Sequence, residues 1–266
     1  MQGRFEFQEG FTYRMPVHFR GYPYQDNVRV VYHDCRAIMV EQKTDMAALA
    51  KYIPAEFEIT APVIQWSYYN CRGVDFMSNG EYRIFQASVP VRWREGDRPE
   101  GSYPLIVFED DGIPILGGRE EDGIPKVLCD ISIDRHYENH WFAAASLYCD
   151  TMLKADFWEE AELPAEIVQT VGEARTNAFG NRYLPKVGEA GAAYQDYVLY
   201  PQQILPEKAW TGRASVRVFV PDPWYKNPYM YGALAALGGL PAYGFQNAMR
   251  VQGKLRLCVS DSKKLK

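Results

Sequence analysis

Lys126 is the residue whose setting first suggests chemistry. It follows the acidic, glycine-bearing stretch Gly117-Gly118-Arg119-Glu120-Glu121-Asp122-Gly123-Ile124-Pro125 and precedes Val127-Leu128-Cys129. An ordinary lysine, with a pKa of roughly 10.4, is a cation in neutral water. Apolar neighbours such as Ile124, Val127 and Leu128 can deny it water, and a lysine so placed becomes a nucleophilic amine able to attack a ketone. Glu120, Glu121 and Asp122 are the nearest candidates for acid and base. Local sequence by itself favours a plainer reading, a solvated lysine at the entrance of a strand beside three acids that face water, because lysine is rarely buried.

Other chemistries find less support. A phosphate loop needs Gly-Lys-Ser/Thr directly before a helix, and here Ile124-Pro125 precede the lysine and Val127 follows it. There is no Gly-x-Ser-x-Gly and no His-Glu-x-x-His. His136 and His140 are four apart, but their flanks read as a turn between strands, so no metal site is expected. In His33-Asp34-Cys35, successive strand side chains point to opposite faces, which separates the thiol from Asp34.

The elements that must position Lys126 are mostly strands. Val127, Cys129, Ile131 and Ile133 alternate with Asp130, Ser132 and Asp134, the pattern of a half-buried strand over 127–134. By parity Lys126 shares a face with Leu128, so it meets an apolar environment only if the strand closes round a lined cavity. Further strands are expected over 28–41, 64–70, 82–94, 103–108 and 141–153, and a last one carries Met249, Val251, Leu255, Leu257 and Val259. Thr44 or Asp45 caps a short helix with Met46, Leu49, Ala50 and Ile53 on one face, and Pro54 ends it. A second helix is expected within 157–170, an aromatic loop over 222–232, and an irregular arm over 1–27. Many short strands with few helices predict an antiparallel sheet rolled into a barrel or sandwich.

The 266 residues suit one domain of that kind, and 47% hydrophobic with 14% aromatic residues supply its core. A net charge of −5 without a basic cluster before Lys263-Lys264-Leu265-Lys266 argues against nucleic acid and anionic membranes. Five scattered cysteines, no Cys-x-x-Cys, and no signal-peptide or membrane-spanning apolar run predict a soluble cytoplasmic protein.

Four stretches together resemble the acetoacetate decarboxylase family. They are Lys43-Thr44-Asp45-Met46 with Ala48-Leu49, Val89-Pro90-Val91, Gly118-Arg119-Glu120 followed after four residues by Pro125-Lys126, and Ala209-Trp210-Thr211-Gly212. The resemblance spans most of the chain. It implies a mainly β (α+β) fold, an antiparallel β-barrel or cone with a few short helices, over a single domain 1–266. It also implies a homo-oligomer without a cofactor, in which Lys126 forms a Schiff base with a small-molecule keto acid. Acetoacetate decarboxylase is itself a known case of a lysine made nucleophilic by desolvation or a neighbouring cation, so that mechanism is inherited from the resemblance.

Departures from the family pattern sharpen the expectation. Val127 stands where the decarboxylase has a second lysine, Ile84 stands where it has a glutamate two residues after Tyr82, and Cys35 stands where it has an arginine, with Arg36 one step away. Lys126, Glu81, Glu120 and Asp122 are the candidate catalytic residues. Arg36, Tyr82, Ile84, Arg119 and Ile124 are the candidate binding residues, with Arg119 and Glu120 alternatively bracing the turn. The expected activity is decarboxylation of a larger, more apolar β-keto acid than acetoacetate. Aldolase, dehydratase or cyclase chemistry on an α-keto acid is the alternative, and a non-catalytic binding barrel or a sugar-binding sandwich lies beyond it.

Overall fold

The computed structural model describes residues 1–173 and 175–266. The arm carries a small antiparallel hairpin of β1 (Phe11–Tyr13) and β2 (Gly21–Pro23), a separate two-stranded sheet. The main sheet begins with β3 (Val30–Lys43), followed by the short helix α1 (Met46–Ala50) and the short strand β4 (Phe57–Ile59). Asp45 caps α1 by accepting from the Ala48 amide, as its sequence predicts. Long antiparallel strands β5 (Val63–Val74), β6 (Gly80–Trp93) and β7 (Glu100–Glu109) follow. Then come helix α2 (Gly112–Glu120) and β8 (Lys126–Leu128), which runs parallel to β7.

The second half supplies an outer layer and closes the ring. Strands β10 (Arg135–Tyr137), β11 (His140–Leu147) and β12 (Asp150–Glu162) form a meander, and the short β9 (Asp130–Ile131) also pairs with β11. Helix α3 (Ala165–Glu173), β13 (Thr176–Pro185), the long β14 (Ala192–Val218), helix α4 (Pro228–Gly238), β15 (Phe245–Leu257) and β16 (Lys263–Lys264) complete the chain. The hydrogen-bonded path β14-β13-β7-β6-β5-β3-β15 returns to β14, giving the cone-like closure of a mostly β protein. β14 pairs with both β15 and β12 at Trp210 and Thr211 and with β12 alone beyond them, so one strand joins ring and outer layer.

Strand alternation divides the side chains between two spaces. Ile64, Trp66 and Tyr68 of β5, Phe85 to Val91 at alternate positions of β6, and Phe108 of β7 face outward into the main core. That core is shared with Ala143, Leu153 and Phe157 of the outer layer and with Leu234 of α4. Gln65, Ser67 and Tyr69, then Tyr82, Ile84 and Gln86, then Val107 and Glu109 face inward and line a chamber. Helices α1 and α4 thus pack on the outer core, α3 packs through Val168 beside the inward-facing Met39, Tyr69 and Ile204, and the chamber is walled mostly by strand side chains.

Several local expectations change. The stretch around Gly117 is part of α2, where Asp111 accepts from the Ile113 amide at its start, although three glycines and Pro114 weaken its helical propensity. The expected strand over 127–134 is two short pieces, β8 and β9. The expected strand over 141–153 is the end and start of a hairpin turning at Tyr148-Cys149, both with positive φ. The segment from Phe157 continues β12 to Glu162, and the helix lies later, at α3. Residues 228–232 of the aromatic segment begin α4, with Pro228 at its first turn and Asn227 capping the Met230 amide.

Candidate active site

Lys126 is positioned by the short strand β8. Its register partner is Val107 on the inner face of β7, whereas Val127 lies beside Phe108 and packs on the outer core. The lysine therefore points into the ring. Leu128, expected to help bury it, is exposed, so Ile124 is the one of the three apolar neighbours that lines its chamber. The chamber measures about 340 Å³, within the range of small-molecule sites. It opens, past Lys126, Asp122, Tyr32 and Tyr200, into a mouth of about 570 Å³ between α2 and the N-terminal arm.

The ammonium is held by two acceptors. Lys126 Nζ lies 2.8 Å from Glu109 Oε1 and donates to the Pro114 carbonyl at 3.0 Å. The lysine side chain is 14% exposed and that of Glu109 1%. Burial raises the Glu109 carboxyl above its ordinary value, against the opposing pull of Lys126. Its second oxygen, Oε2, is buried without a hydrogen-bond partner among the described residues. A carboxylate so placed has spare proton-accepting capacity beside the amine.

Helix α2 approaches this pair closely because of one small residue. A Cβ at Gly118 would lie 2.4 Å from Lys126 Cε and 2.7 Å from Nζ. The turn after α2 is seated by another, since a Cβ at Gly180 of β13 would lie 1.6 Å from the Asp122 carbonyl oxygen. That turn carries Asp122 to the junction of chamber and mouth, where its remaining accessible surface faces the cavities. Burial, then the neighbouring Glu121 charge, pushes its carboxyl up to about 7.

Of the predicted residues, the structure brings Lys126, Asp122, Tyr82, Ile84 and Ile124 to the chamber wall. The Tyr82 hydroxyl lies 2.9 Å from that of Tyr32, and burial raises both phenols well above their usual range, which keeps them protonated. Glu120 reaches the mouth but is exposed, and its carbonyl accepts from Arg182 Nε at 3.0 Å. Glu81 lies outside the chamber and pairs with Arg83. Arg36 faces the outer layer and meets Asp134 at 3.2 Å, because its β3 neighbours of the other parity face inward. Arg119 Nη1 donates to the Lys126 carbonyl at 2.8 Å, bracing β8 from outside the chamber. Cys35 does not line the chamber; its Sγ lies 3.5 Å from that of Cys71.

Sequence reasoning missed Glu109, whose only local signal is a charged residue ending the otherwise apolar run Leu105-Ile106-Val107-Phe108. It expected the arm over 1–27 but not that this arm brings Arg14 and Arg20 to the mouth. Among the described residues no cluster of metal-ligating side chains occurs, and no helix is long and apolar enough to cross a membrane.

The acetoacetate decarboxylase of Burkholderia multivorans is 24% identical over 224 residues, covering 84% of each chain. A crystal structure of acetoacetate decarboxylase from Legionella pneumophila superposes with a TM-score of 0.74 at 18% identity, covering 100% of this chain and 92% of that one. The enduracididine biosynthesis enzyme MppR complexed with pyruvate gives a TM-score of 0.71 at 12% identity, covering 96% and 97%. Residues 14–246 match the acetoacetate decarboxylase (ADC) family, and the chain belongs to that family.

Proposed function

We propose that this enzyme of the decarboxylase and lyase type forms a Schiff base between Lys126 and a keto acid, with Glu109 as the proton carrier. The observation that carries the reading is the buried Lys126–Glu109 pair at 2.8 Å, set in a chamber wide enough for a small molecule. Glu109 takes the ammonium proton, and the free amine adds to the ketone carbon. The carbinolamine hydroxyl then leaves as water with that proton, giving a cationic iminium opposite the Glu109 carboxylate. From the iminium, an α-proton passes to Glu109 or a carboxyl group departs as CO2, and in either case the released electron pair forms an enamine.

Aldol or dehydratase chemistry on an α-keto acid is the better supported branch. Glu109 and Asp122 offer two proton carriers at the lysine, as the proton transfers of enolisation and dehydration require. Decarboxylation of a β-keto acid other than acetoacetate is the second reading, favoured by the family. Family membership and the free thiols of all five cysteines also support a cytoplasmic homo-oligomer.

The branches separate in deuterated buffer. Pyruvate should lose its methyl protons to solvent, by NMR, at a rate abolished in Lys126→Ala and lowered about 100-fold or more in Glu109→Gln, the scale of a lost general base. CO2 release from β-keto acids without exchange contradicts the aldol branch. Tight keto-acid binding that survives Lys126→Ala, with neither product, contradicts catalysis and leaves a binding barrel.

A further inference from the structure

The chamber and its mouth differ in charge and polarity, and the difference orients a substrate. Among the described residues Lys126 is the only cation lining the chamber, which also holds Glu41, Glu109 and Asp122. Glu41 is occupied, accepting from Gln246 at 3.1 Å and Asn247 at 2.7 Å. A carboxylate carried deep into this space would meet acids and no free cation, at a cost that low dielectric magnifies.

Strand register shows what the deep end offers instead. Val107, the partner of Lys126, lies opposite Gln86, and Gln86 lies opposite Ser67. The next inward row pairs Ser88 with Gln65, two residues or about 7 Å further along β6. Ser102 closes that row by donating to Gln65 Oε1 at 2.7 Å. This is a hydrogen-bonding surface, where the sequence predicted a pocket for an apolar tail.

At the mouth the cations come from the arm. Arg14 is committed, since its Nη2 donates to Glu121 at 2.7 Å and its guanidinium lies 5.3 Å from the centre of the Tyr22 ring. Arg20 also lines the mouth, and its Nη1 donates to the Met15 carbonyl at 2.9 Å. It has no acidic partner among the described residues.

We infer that the substrate on Lys126 lies with its carboxylate outward, toward Arg20, and a hydrogen-bonding tail, uncharged or cationic, inward among Ser67, Gln86 and Ser88. The inference rests on the Schiff-base reading and deepens it. It assigns the N-terminal arm a part in recognition and names the substrate class as a hydroxylated, amide-bearing or amino keto acid.

The test is borohydride trapping on the full-length protein, read by intact mass as a function of ligand concentration. The probes are 2-oxohexanoate, 5-hydroxy-2-oxopentanoate and the uncharged ketone 5-hydroxy-2-pentanone. The hydroxylated acid should half-saturate at least about tenfold lower than the alkyl acid, the scale of one or two well-made hydrogen bonds. Arg20→Gln, on an exposed arm, should narrow the preference for hydroxy acid over hydroxy ketone by about tenfold, the worth of one charge-assisted hydrogen bond. Gln86→Leu should erase or reverse the preference between tails. Trapping at Lys126 that ignores both the tail and Arg20→Gln overturns this inference and leaves the Schiff base intact. No adduct with any of the three overturns both.

Discussion

At Lys126 two demands on a catalytic amine meet, because the group must be tolerated in a largely buried setting and must also be free to attack a carbonyl. Glu109 answers both. Its carboxylate balances the ammonium, and burial raises its affinity for a proton, so a proton leaving the lysine has a near and ready acceptor. Asp122 is the second titrating acid. A carboxyl raised to about 7 in the folded protein and at about 3.9 when unfolded makes the unfolded state bind fewer protons between those values. Its contribution to stability is therefore fully present below about pH 4, is lost as pH rises toward 7, and is constant above. Asp122→Asn should raise the melting temperature relative to the parent more at about pH 8 than at about pH 4, measured by thermal unfolding at both. An equal difference at the two pH values contradicts the placement of Asp122. The same variant should remove a limb near pH 7 from the activity profile.

At the scale of elements, α2 and β8 build the site, and these were the parts least legible in the sequence. The motif Gly118-Arg119-Glu120 with Pro125-Lys126 located the lysine through family likeness, but three glycines hid the helix that carries the motif's first half. Long strands and α1 were legible because alternation and capping are local signals. Glu109 was not legible, because its importance comes from register across β7 and β8 rather than from its neighbours in sequence. Arg36 and Glu81 had suitable charges on the wrong face, which parity decides only once the face of each strand is known. The role of α2 can be tested at Gly118. Gly118→Ala puts a methyl where Lys126 Cε and Nζ now lie, and the flexible lysine must give way. Trapping and turnover should fall about tenfold or more while the melting temperature changes little, since misplacing a reacting group by about 1 Å costs on that order or above. Unchanged kinetics would show that the lysine does not pack against α2.

At the level of the whole molecule, the ring provides the chamber and the outer layer packs against the ring through a shared core. β14 belongs to both, pairing with β13 and β15 in the ring and with β12 outside it. Phe157 of β12 is fully buried in the core between the two layers. Phe157→Ala should cost about 3–5 kcal/mol by denaturant unfolding, the usual toll for an aromatic lost from a core. A loss under about 1 kcal/mol would mean that the layers are not packed as one unit.

Incubating the protein with pyruvate, adding borohydride and mapping the modified peptide by mass spectrometry tests the Schiff base itself. A stable adduct is expected on Lys126, absent from Lys126→Ala and formed more slowly in Glu109→Gln. An adduct on another lysine, or none with any keto acid, would show that Lys126 is not the reacting amine.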